Sequence, residues 1–341
     1  MDMSRSVGVS ESPFASQRIA VDQKRVETLQ LPYRDFRELS LAGENWRKLP
    51  LEARRQFRSY YFFNPPKWRV WARRLGSAER MEPSFASIGA VRSGTSFLSS
   101  YIFQHPHVVL PLSKEISFTE TMRDLMAHFP TLAEQHAAER RYGGAITGYC
   151  TPVMPNPLWI FLAKSMFPNL RIVCVLRDPV ERAFSHWRWD QKRFVERKKL
   201  DPHWKGFPRF ETLIRTEQET IRAGGMEVHA FSGARAGYLR HGIYAPFLRL
   251  LAEQFGRERI FVVDAAELFR DPGGVTKRIY GFLGLPQIEP LIIDEQNSGP
   301  SGALPDALRS ELTEFFRPYN EATYEIVGKD FGWGTAYTGS E

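Results

Sequence analysis

The distribution of apolar and polar positions along the chain predicts buried strands that alternate with helices. Three short, continuous apolar runs are typical of strands buried on both faces of a parallel sheet. They cover residues 85–91, 171–176 and 259–263. Helical spacing of apolar residues follows or flanks these runs at residues 96–104, 245–255 and 274–283 and in a segment that begins near Val180. This alternation favours an α/β fold with a central parallel sheet flanked by helices.

Ligands of such folds bind beyond the carboxyl ends of the strands. The turns that follow Val91 and Leu176 are therefore the first places where a binding site is expected. Pro179 comes just after the second turn and suits the first turn of a helix, because its missing N–H would have no partner there.

The composition is that of a globular protein. Of 341 residues, 43% are hydrophobic and 25% are charged, which excludes a collagen, a coiled coil and a wholly disordered chain. The net charge of +7 is too small to predict a nucleic-acid partner. Two cysteines, Cys150 and Cys174, indicate neither a disulfide framework nor a cysteine-based zinc site. Without a long apolar run or a signal-peptide pattern, the expected location is cytoplasmic.

The excess of positive charge lies in one segment, residues 54–74. Seven of the 46 basic residues occur there without an acidic residue among them, and the other 39 equal the number of acidic residues. Aromatic residues interleave with these cations, among them Tyr60, Tyr61, Phe62, Phe63, Trp68 and Trp71. The segment predicts contact with the acceptor of a reaction or with an anionic membrane surface. The alternative is a helix packed on the protein with its basic side in water.

A change of pattern near residues 81–84, where Pro83 and Ser84 indicate a linker, divides the chain. We expect an N-terminal extension over residues 1–82 and a catalytic domain over residues 83–335.

Residues 89–96 approximate a nucleotide phosphate loop. Gly89 and Gly94 have the expected spacing, but Thr95 occupies the position of the usual Lys. Small residues still allow backbone N–H groups to surround an anion at a helix N-terminus. Arg92 supplies a cation before the second glycine, which suits a 5′-phosphate with one further anionic group better than a magnesium-bound triphosphate. An ordinary strand-to-helix turn is the alternative.

The second candidate element begins at the end of the middle strand. Arg177 can fork two donors onto a phosphate, and Ser185, about two helical turns later, can donate a third. Asp178 is expected to cap the helix, and Arg182 to be either a solvated or a structural residue.

These motifs together resemble the sulfotransferases that use 3′-phosphoadenosine-5′-phosphosulfate (PAPS), and most of all the branch of heparan sulfate sulfotransferases and their bacterial relatives. Residues 92–96 resemble the 5′-phosphosulfate loop, and Arg177 to Ser185 the 3′-phosphate element. Lys114 and Glu115 resemble the segment with the catalytic glutamate. The resemblance covers about residues 85–335 and implies the P-loop-like three-layer form of the α/β fold.

What the resemblance implies is sulfuryl transfer by in-line displacement from PAPS to a hydroxyl or amine acceptor, without a metal ion. Glu115 would be the general base, Arg92 would stabilise the departing 5′-phosphate, and Lys114 would balance charge on the sulfuryl group or the acceptor. The implied donor-binding residues are Arg92, Ser93, Gly94, Thr95, Ser96, Arg177, Ser185 and Tyr244. Tyr244 could equally begin a helix. The acceptor stays open among glycan, glycolipid or other lipid, and small-molecule alcohol, and the sequence indicates no oligomeric state.

Two departures from the family pattern stand out. Cys150 occupies the position before Thr151 where heparan-type enzymes have Lys, so a cation near the sulfate or the acceptor is missing. The loop at residues 297–302 lacks the lysines of the family's late basic loop.

Two other classes of protein share part of the pattern. A phosphate-loop kinase or NTPase would need a Lys after Gly94, and a non-catalytic module that binds anions through residues 54–74 would not need Glu115.

Overall fold

The computed structural model describes Pro65 and residues 67–116, 122–154, 156–198, 207–224, 237–292 and 304–334. Four parallel strands form the sheet in the order β2-β1-β3-β4. The strands are β1 (Phe85–Ala90), β2 (Gly148–Met154), β3 (Arg171–Leu176) and β4 (Ile260–Asp264). This confirms the predicted α/β fold with a central parallel sheet.

The helices of the described residues are α1 (Lys67–Leu75), α2 (Thr95–Ile102), α3 (Met122–Met126), α4 (Leu132–Tyr142), α5 (Pro157–Met166), α6 (Pro179–Lys198), α7 (Phe210–Arg222), α8 (Ala245–Phe255), α9 (Ala265–Arg270), α10 (Pro272–Leu283) and α11 (Asp306–Val327).

Alternate residues of the middle strands belong to different hydrophobic clusters, as the two-residue period of a strand requires. Ile172 and Cys174 pack in a cluster that includes residues of α5 and α8. Val173 and Val175 pack in a second cluster, with residues of α2 and α10. The sheet therefore has helices on both faces, which gives the three layers.

A third hydrophobic cluster joins α6, α7 and α11. Phe210, Ile214 and Ile221 of α7 are buried there against residues of α11 such as Phe316. Helix α7, which also contains several charged residues, thus contributes one apolar face to the core.

Strand β2 lies at an edge of the sheet and contains Pro152. Its register against β1 shifts between the pairs Ile88–Thr151 and Ala90–Met154, so β2 has one extra residue there. An edge strand tolerates a proline and a bulge because one side of its backbone needs no ladder hydrogen bonds.

Helix α1 and the segment after it are attached to the domain. Arg73 donates to the carbonyl oxygens of Ala127 (2.7 Å) and Phe129 (2.5 Å). Met81 is buried, and its N–H donates to the Pro130 carbonyl at 2.8 Å. The division into an extension and a domain stays a prediction, and residues 54–64 lie outside the described residues. No helix in the described part of the chain has the length and apolar character needed to cross a membrane.

Gly89 in β1 is needed because its neighbours leave no room for a side chain. A Cβ atom there would lie 2.6 Å from the Val175 carbonyl oxygen and 2.9 Å from Thr95 Cγ2. The close approach brings β1, β3 and the start of α2 together, so Gly89 fixes where the turn after β1 begins.

We expect Gly89→Ala to lower the free energy of unfolding by about 1–3 kcal/mol, because the new methyl group forces the backbone of β3 or α2 to move. Urea denaturation followed by circular dichroism measures the change. The control is Gly281→Ala in α10, where the new Cβ would meet an ordinary contact at 3.5 Å and helix propensity favours alanine. Equal stability of Gly89→Ala and the wild type would contradict the packing constraint.

Candidate active site

The turn after β1 has the geometry of an anion-binding loop. Gly94 has a φ of 92°, and Arg92 has a φ of 70°, which makes it the one non-glycine residue with positive φ among the described residues. Such a conformation costs a non-glycine residue about 1–3 kcal/mol. Helix α2 begins at Thr95 with no side chain capping its N-terminus. The backbone N–H groups of its first turn are thus free of a capping side chain, at the end of the helix that favours negative charge.

Two carbonyl oxygens of this loop accept hydrogen bonds from arginines of the second element. Arg177 Nη1 donates to the Arg92 carbonyl at 3.2 Å, and Arg182 Nη1 donates to the Val91 carbonyl at 3.2 Å. In addition, Arg92 Nε donates to Ser185 Oγ at 3.3 Å. The structure therefore brings the two predicted phosphate elements into direct contact, and the strained backbone at Arg92 is held on both sides.

The guanidinium groups of Arg92, Arg177 and Arg182 form no salt bridge with a carboxylate of the described residues. Burial lowers the pKa of Arg92, and the charge of Arg177 lowers it further. Burial also lowers the pKa of Arg182; Tyr244 and the Glu217 carboxylate raise it, and the charge of Arg177 lowers it. The guanidinium group of Arg177 thus repels those of Arg92 and Arg182, and a bound anion would reduce this repulsion.

Arg182 is a residue whose place in the site the sequence did not reveal. Its side chain is fully buried, and Nη2 donates to the Tyr238 carbonyl while Nη1 holds the loop. A solvated role is therefore excluded, and Arg182 links the phosphate loop to the segment before α8. Asp178, in contrast, caps α6 as predicted, since its Oδ1 accepts from the N–H of Val180 at 2.8 Å.

Tyr244 lies at the start of α8 with its ring buried. Its hydroxyl donates to the Arg177 carbonyl at 2.7 Å, so it holds the backbone of the second phosphate element. Burial raises the pKa of Tyr244 to about 12, and the hydroxyl stays protonated at neutral pH. Of the two alternatives for this residue, the structure shows the helix start; a contact with the donor stays a prediction.

Lys114 connects the phosphate loop to Glu115. Its ammonium group is 1% exposed and donates to Ser96 Oγ at 3.1 Å and to Glu115 Oε1 at 2.6 Å. The Glu115 side chain is 48% exposed. One carboxylate oxygen is thus fixed by a buried cation on the side of the loop, while the side chain stays accessible to a molecule from solvent. Residues 117–121, which follow, lie outside the described residues.

Cys150 is a core residue and is not exposed at the site. It is fully buried in the second hydrophobic cluster, and burial raises the pKa of its thiol to about 12. Its N–H donates to the Lys114 carbonyl at 2.9 Å. The departure from the family pattern therefore places a neutral thiol in the core behind Lys114. The loop at residues 297–302, the other departure, is outside the described residues.

His186 follows Ser185 but is buried in a different environment. Its ring stacks on His241 with centroids 5.7 Å apart and meets the edge of Tyr238. Burial lowers the pKa of His186 to about 2, with the charges of Arg182, His241 and Arg92 adding to the effect. Asp190 lies 3.7 Å from His186 Nε2, beyond hydrogen-bond distance, and its Oδ2 accepts from the Tyr238 hydroxyl. His186 is therefore a neutral packing residue.

Within the described ranges, no three His, Cys, Asp or Glu side chains come close enough together to hold a metal ion. Trp187 packs on Phe184 and Phe210, as expected of a core residue.

Comparison with known proteins assigns the family. The model of the sulfotransferase domain matches residues 85–297, which is more than half of the chain. The chain therefore belongs to the sulfotransferase domain family. This confirms the predicted resemblance and that the protein is a sulfotransferase.

Relatives of this sulfotransferase include enzymes of the heparan sulfate branch. Human heparan sulfate glucosamine 3-O-sulfotransferase 6 is 26% identical in an alignment of 288 positions that covers 76% of this chain and 76% of that protein. The membrane-associated sulfotransferase kil1 of Dictyostelium discoideum is 20% identical over 74% of this chain and 66% of its own length. The crystal structure of a sulfotransferase from Alicyclobacillus acidocaldarius matches with a TM-score of 0.51 and 25% identity, over 74% of this chain and 98% of that one.

The two buried histidines, His186 and His241, predict how the stability of the protein depends on pH. Burial lowers the pKa of His186 to about 2 and that of His241 to about 3, whereas both have an ordinary value of 6.5 when unfolded. Below pH 6.5 the unfolded chain takes up protons that the folded protein does not. The contribution of the two histidines to the free energy of unfolding is therefore fully present above pH 6.5. On acidification below that pH the free energy of unfolding falls by up to about 1.4 kcal/mol per pH unit for each histidine.

Urea denaturation between pH 7 and about 5, above the range in which ordinary carboxylates titrate, measures this slope. The double variant His186→Gln/His241→Gln should lose most of it, whatever its stability at pH 7. His136→Gln, at an exposed position of α4, should keep it. A slope unchanged in the double variant would mean that burial and the charges of Arg182, Arg92 and Arg240 do not keep the pair neutral against the opposing effect of Asp190.

Proposed function

We propose that this sulfotransferase uses PAPS as its donor and transfers the sulfuryl group to a hydroxyl group of a glycan. The single observation that supports a donor with several negative charges is the group of three arginines, Arg92, Arg177 and Arg182, without a paired carboxylate among the described residues. The glycan acceptor is supported by the names of the heparan sulfate 3-O-sulfotransferases to which the chain is similar.

The proposed donor site divides the two phosphate groups between the two elements. The N–H groups at the start of α2 and the guanidinium of Arg92 would hold the 5′-phosphosulfate, with Ser93, Gly94, Thr95 and Ser96 around it. Arg177 and Ser185 would hold the 3′-phosphate. Contact between Arg92 and Ser185 keeps the two subsites adjacent, as two phosphates on one nucleotide require.

In the proposed reaction, the acceptor oxygen forms a bond to sulfur as the bond between sulfur and the 5′-phosphate oxygen breaks. Glu115 takes the proton of the acceptor hydroxyl, and adenosine 3′,5′-bisphosphate leaves with the electron pair of the broken bond. Negative charge grows on the leaving phosphate oxygen, where Arg92 stabilises it. Lys114 lies between the loop and Glu115 and can compensate charge on the transferred group.

A kinase or NTPase is a weaker alternative. Lys114 supplies a cation near α2, but Thr95 stands where the phosphate loop of those enzymes has its own Lys. Calorimetry compares adenosine 3′,5′-bisphosphate with ATP and magnesium. Binding of the bisphosphate is expected, and tight binding of ATP alone would overturn the proposal.

Glu115→Gln tests the base. The variant should bind adenosine 3′,5′-bisphosphate as the wild type does, because glutamine keeps an oxygen that accepts from Lys114, so the contact of Lys114 with Ser96 of the loop is retained. Transfer of radiolabelled sulfate from PAPS to heparan sulfate should fall about 10²- to 10⁴-fold, since general-base catalysis has that size. Glu253→Gln, at an exposed position of α8, is the control. Unchanged transfer by Glu115→Gln would refute the role of Glu115.

Arg182→Lys tests whether the fork of Arg182 positions the donor loop. Lysine keeps the charge but cannot hold the carbonyls of Val91 and Tyr238 together. We expect affinity for adenosine 3′,5′-bisphosphate to fall about 10-fold, the worth of one charge-assisted hydrogen bond. Arg193→Lys, on an exposed position of the same helix, is the control. Affinity that survives in Arg182→Lys but falls in Arg182→Met would indicate that charge alone matters.

A further inference from the structure

We propose that helix α1 docks on an anionic lipid surface through Trp68, Trp71 and Leu75. These three side chains are 67%, 57% and 54% exposed. Their spacing of three and four residues places them along one side of the helix. An apolar stripe of two tryptophans and a leucine on the outside of a soluble domain indicates an interaction surface.

The opposite side of α1 is already occupied by the protein. Arg73 donates to the carbonyls of Ala127 and Phe129, and Arg80 donates to the Arg73 carbonyl at 3.2 Å. Arg74 pairs with Asp124 of α3 at 2.9 Å. The helix therefore has a fixed orientation, in which these hydrogen bonds face the domain and the tryptophans face away from it.

The charge around the stripe selects the kind of partner. Of the seven cations in residues 54–74, Arg73 and Arg74 are engaged by the domain. The other five have no acidic residue among them in the chain, and two of these, Lys67 and Arg69, are next to Trp68. Tryptophan is favoured at the boundary between water and lipid because its ring is apolar and its N–H is polar. Basic residues beside it gain from the negative potential of anionic lipids. Both properties of α1 thus match one surface.

Other partners fit the same surface less well. A sulfated glycan would satisfy the cations but offers nothing apolar for Leu75. A second copy of this chain would bring two cationic surfaces together, and three side chains are too few for a stable dimer, which needs about 800 Å² from each partner.

The position of α1 links this surface to the catalytic segment. The residues that hold Arg73 flank His128, whose carbonyl accepts from the Leu112 N–H at 2.6 Å. Leu112 is two residues before Lys114. Docking of α1 would therefore hold the segment that contains Lys114 and Glu115 near the lipid surface.

Co-sedimentation of the full chain with vesicles tests the proposal. The wild type should bind vesicles that contain phosphatidylglycerol and should bind phosphatidylcholine vesicles weakly, with binding that decreases as salt is added. The variant Trp68→Ala/Trp71→Ala should bind the anionic vesicles at least about 10-fold more weakly, because it loses most of the apolar stripe.

The matched control is Leu158→Ala/Phe161→Ala. These side chains of α5 are 60% and 48% exposed and have the same three-residue spacing, but they belong to no cationic segment. This control should bind like the wild type. Thermal shift with adenosine 3′,5′-bisphosphate shows that each variant is folded; loss of that shift in the wild type would bear on the proposed donor and not on α1.

Several outcomes would overturn the proposal. The first is no binding of the wild type to anionic vesicles at low salt, and the second is equal binding by the α1 variant. Vesicle binding that begins only when residues 1–64 are removed would show that this segment covers the stripe. A dimer that the α1 variant abolishes in analytical ultracentrifugation would assign the surface to a second copy. Binding to heparin without binding to vesicles would assign it to a glycan.

Discussion

Positive charge without a salt-bridged carboxylate among the described residues is the constraint on which the site depends. Arg92, Arg177 and Arg182 meet where the loop after β1 approaches the start of α6, and none has a salt bridge with a described carboxylate. Buried charges of one sign raise the free energy of the folded protein. The protein compensates with neutral acceptors. Backbone carbonyls hold the guanidinium groups of Arg177 and Arg182, and the Ser185 hydroxyl holds that of Arg92, without neutralising them. The guanidinium groups therefore still attract an external anion, whereas salt bridges with carboxylates of the protein would have neutralised their charge.

The same need for positive charge explains how the proposed donor-binding loop and the candidate base are joined. The phosphate loop of an NTPase contains its own lysine, but here Thr95 has that position. Lys114 comes instead from another segment and contacts Ser96 in the first turn of α2. Because its second partner is Glu115, one buried ammonium connects the loop with the candidate base. Cys150 lies behind it as a neutral thiol, so the missing family lysine leaves Lys114 as the cation at this point.

The sequence predicted those parts of the fold that depend on local patterns. The predicted bounds of β3 and α8 agree with the structure. A strand buried on both faces leaves a continuous apolar run in the sequence, and a helix buried on one face leaves a helical period of apolar residues. Strand β2 was not predicted, since Pro152 argues against a strand unless its edge position is known. Arg182 was equally hard to place: the carbonyls that it holds are 91 and 56 residues away in the chain. Whether an arginine in a helix is solvated or buried depends on partners that are distant in the chain. The periodic pattern of apolar residues around it carries no information about those partners.

The two basic regions of the molecule differ in what they can recognise. In the proposed donor site Arg182 is buried, Arg92 and Arg177 are half-buried, and all three are held at fixed positions, so they suit an anion of defined shape. Their partial burial reduces screening by salt. The cations of residues 54–74 include the whole excess charge of the chain, and in the described part of that segment they accompany exposed tryptophans. Exposed charges act over about 10 Å at moderate salt and have no fixed geometry. They therefore suit a broad anionic surface with an apolar interior, whereas the arginines of the proposed donor site suit a small anion of defined shape.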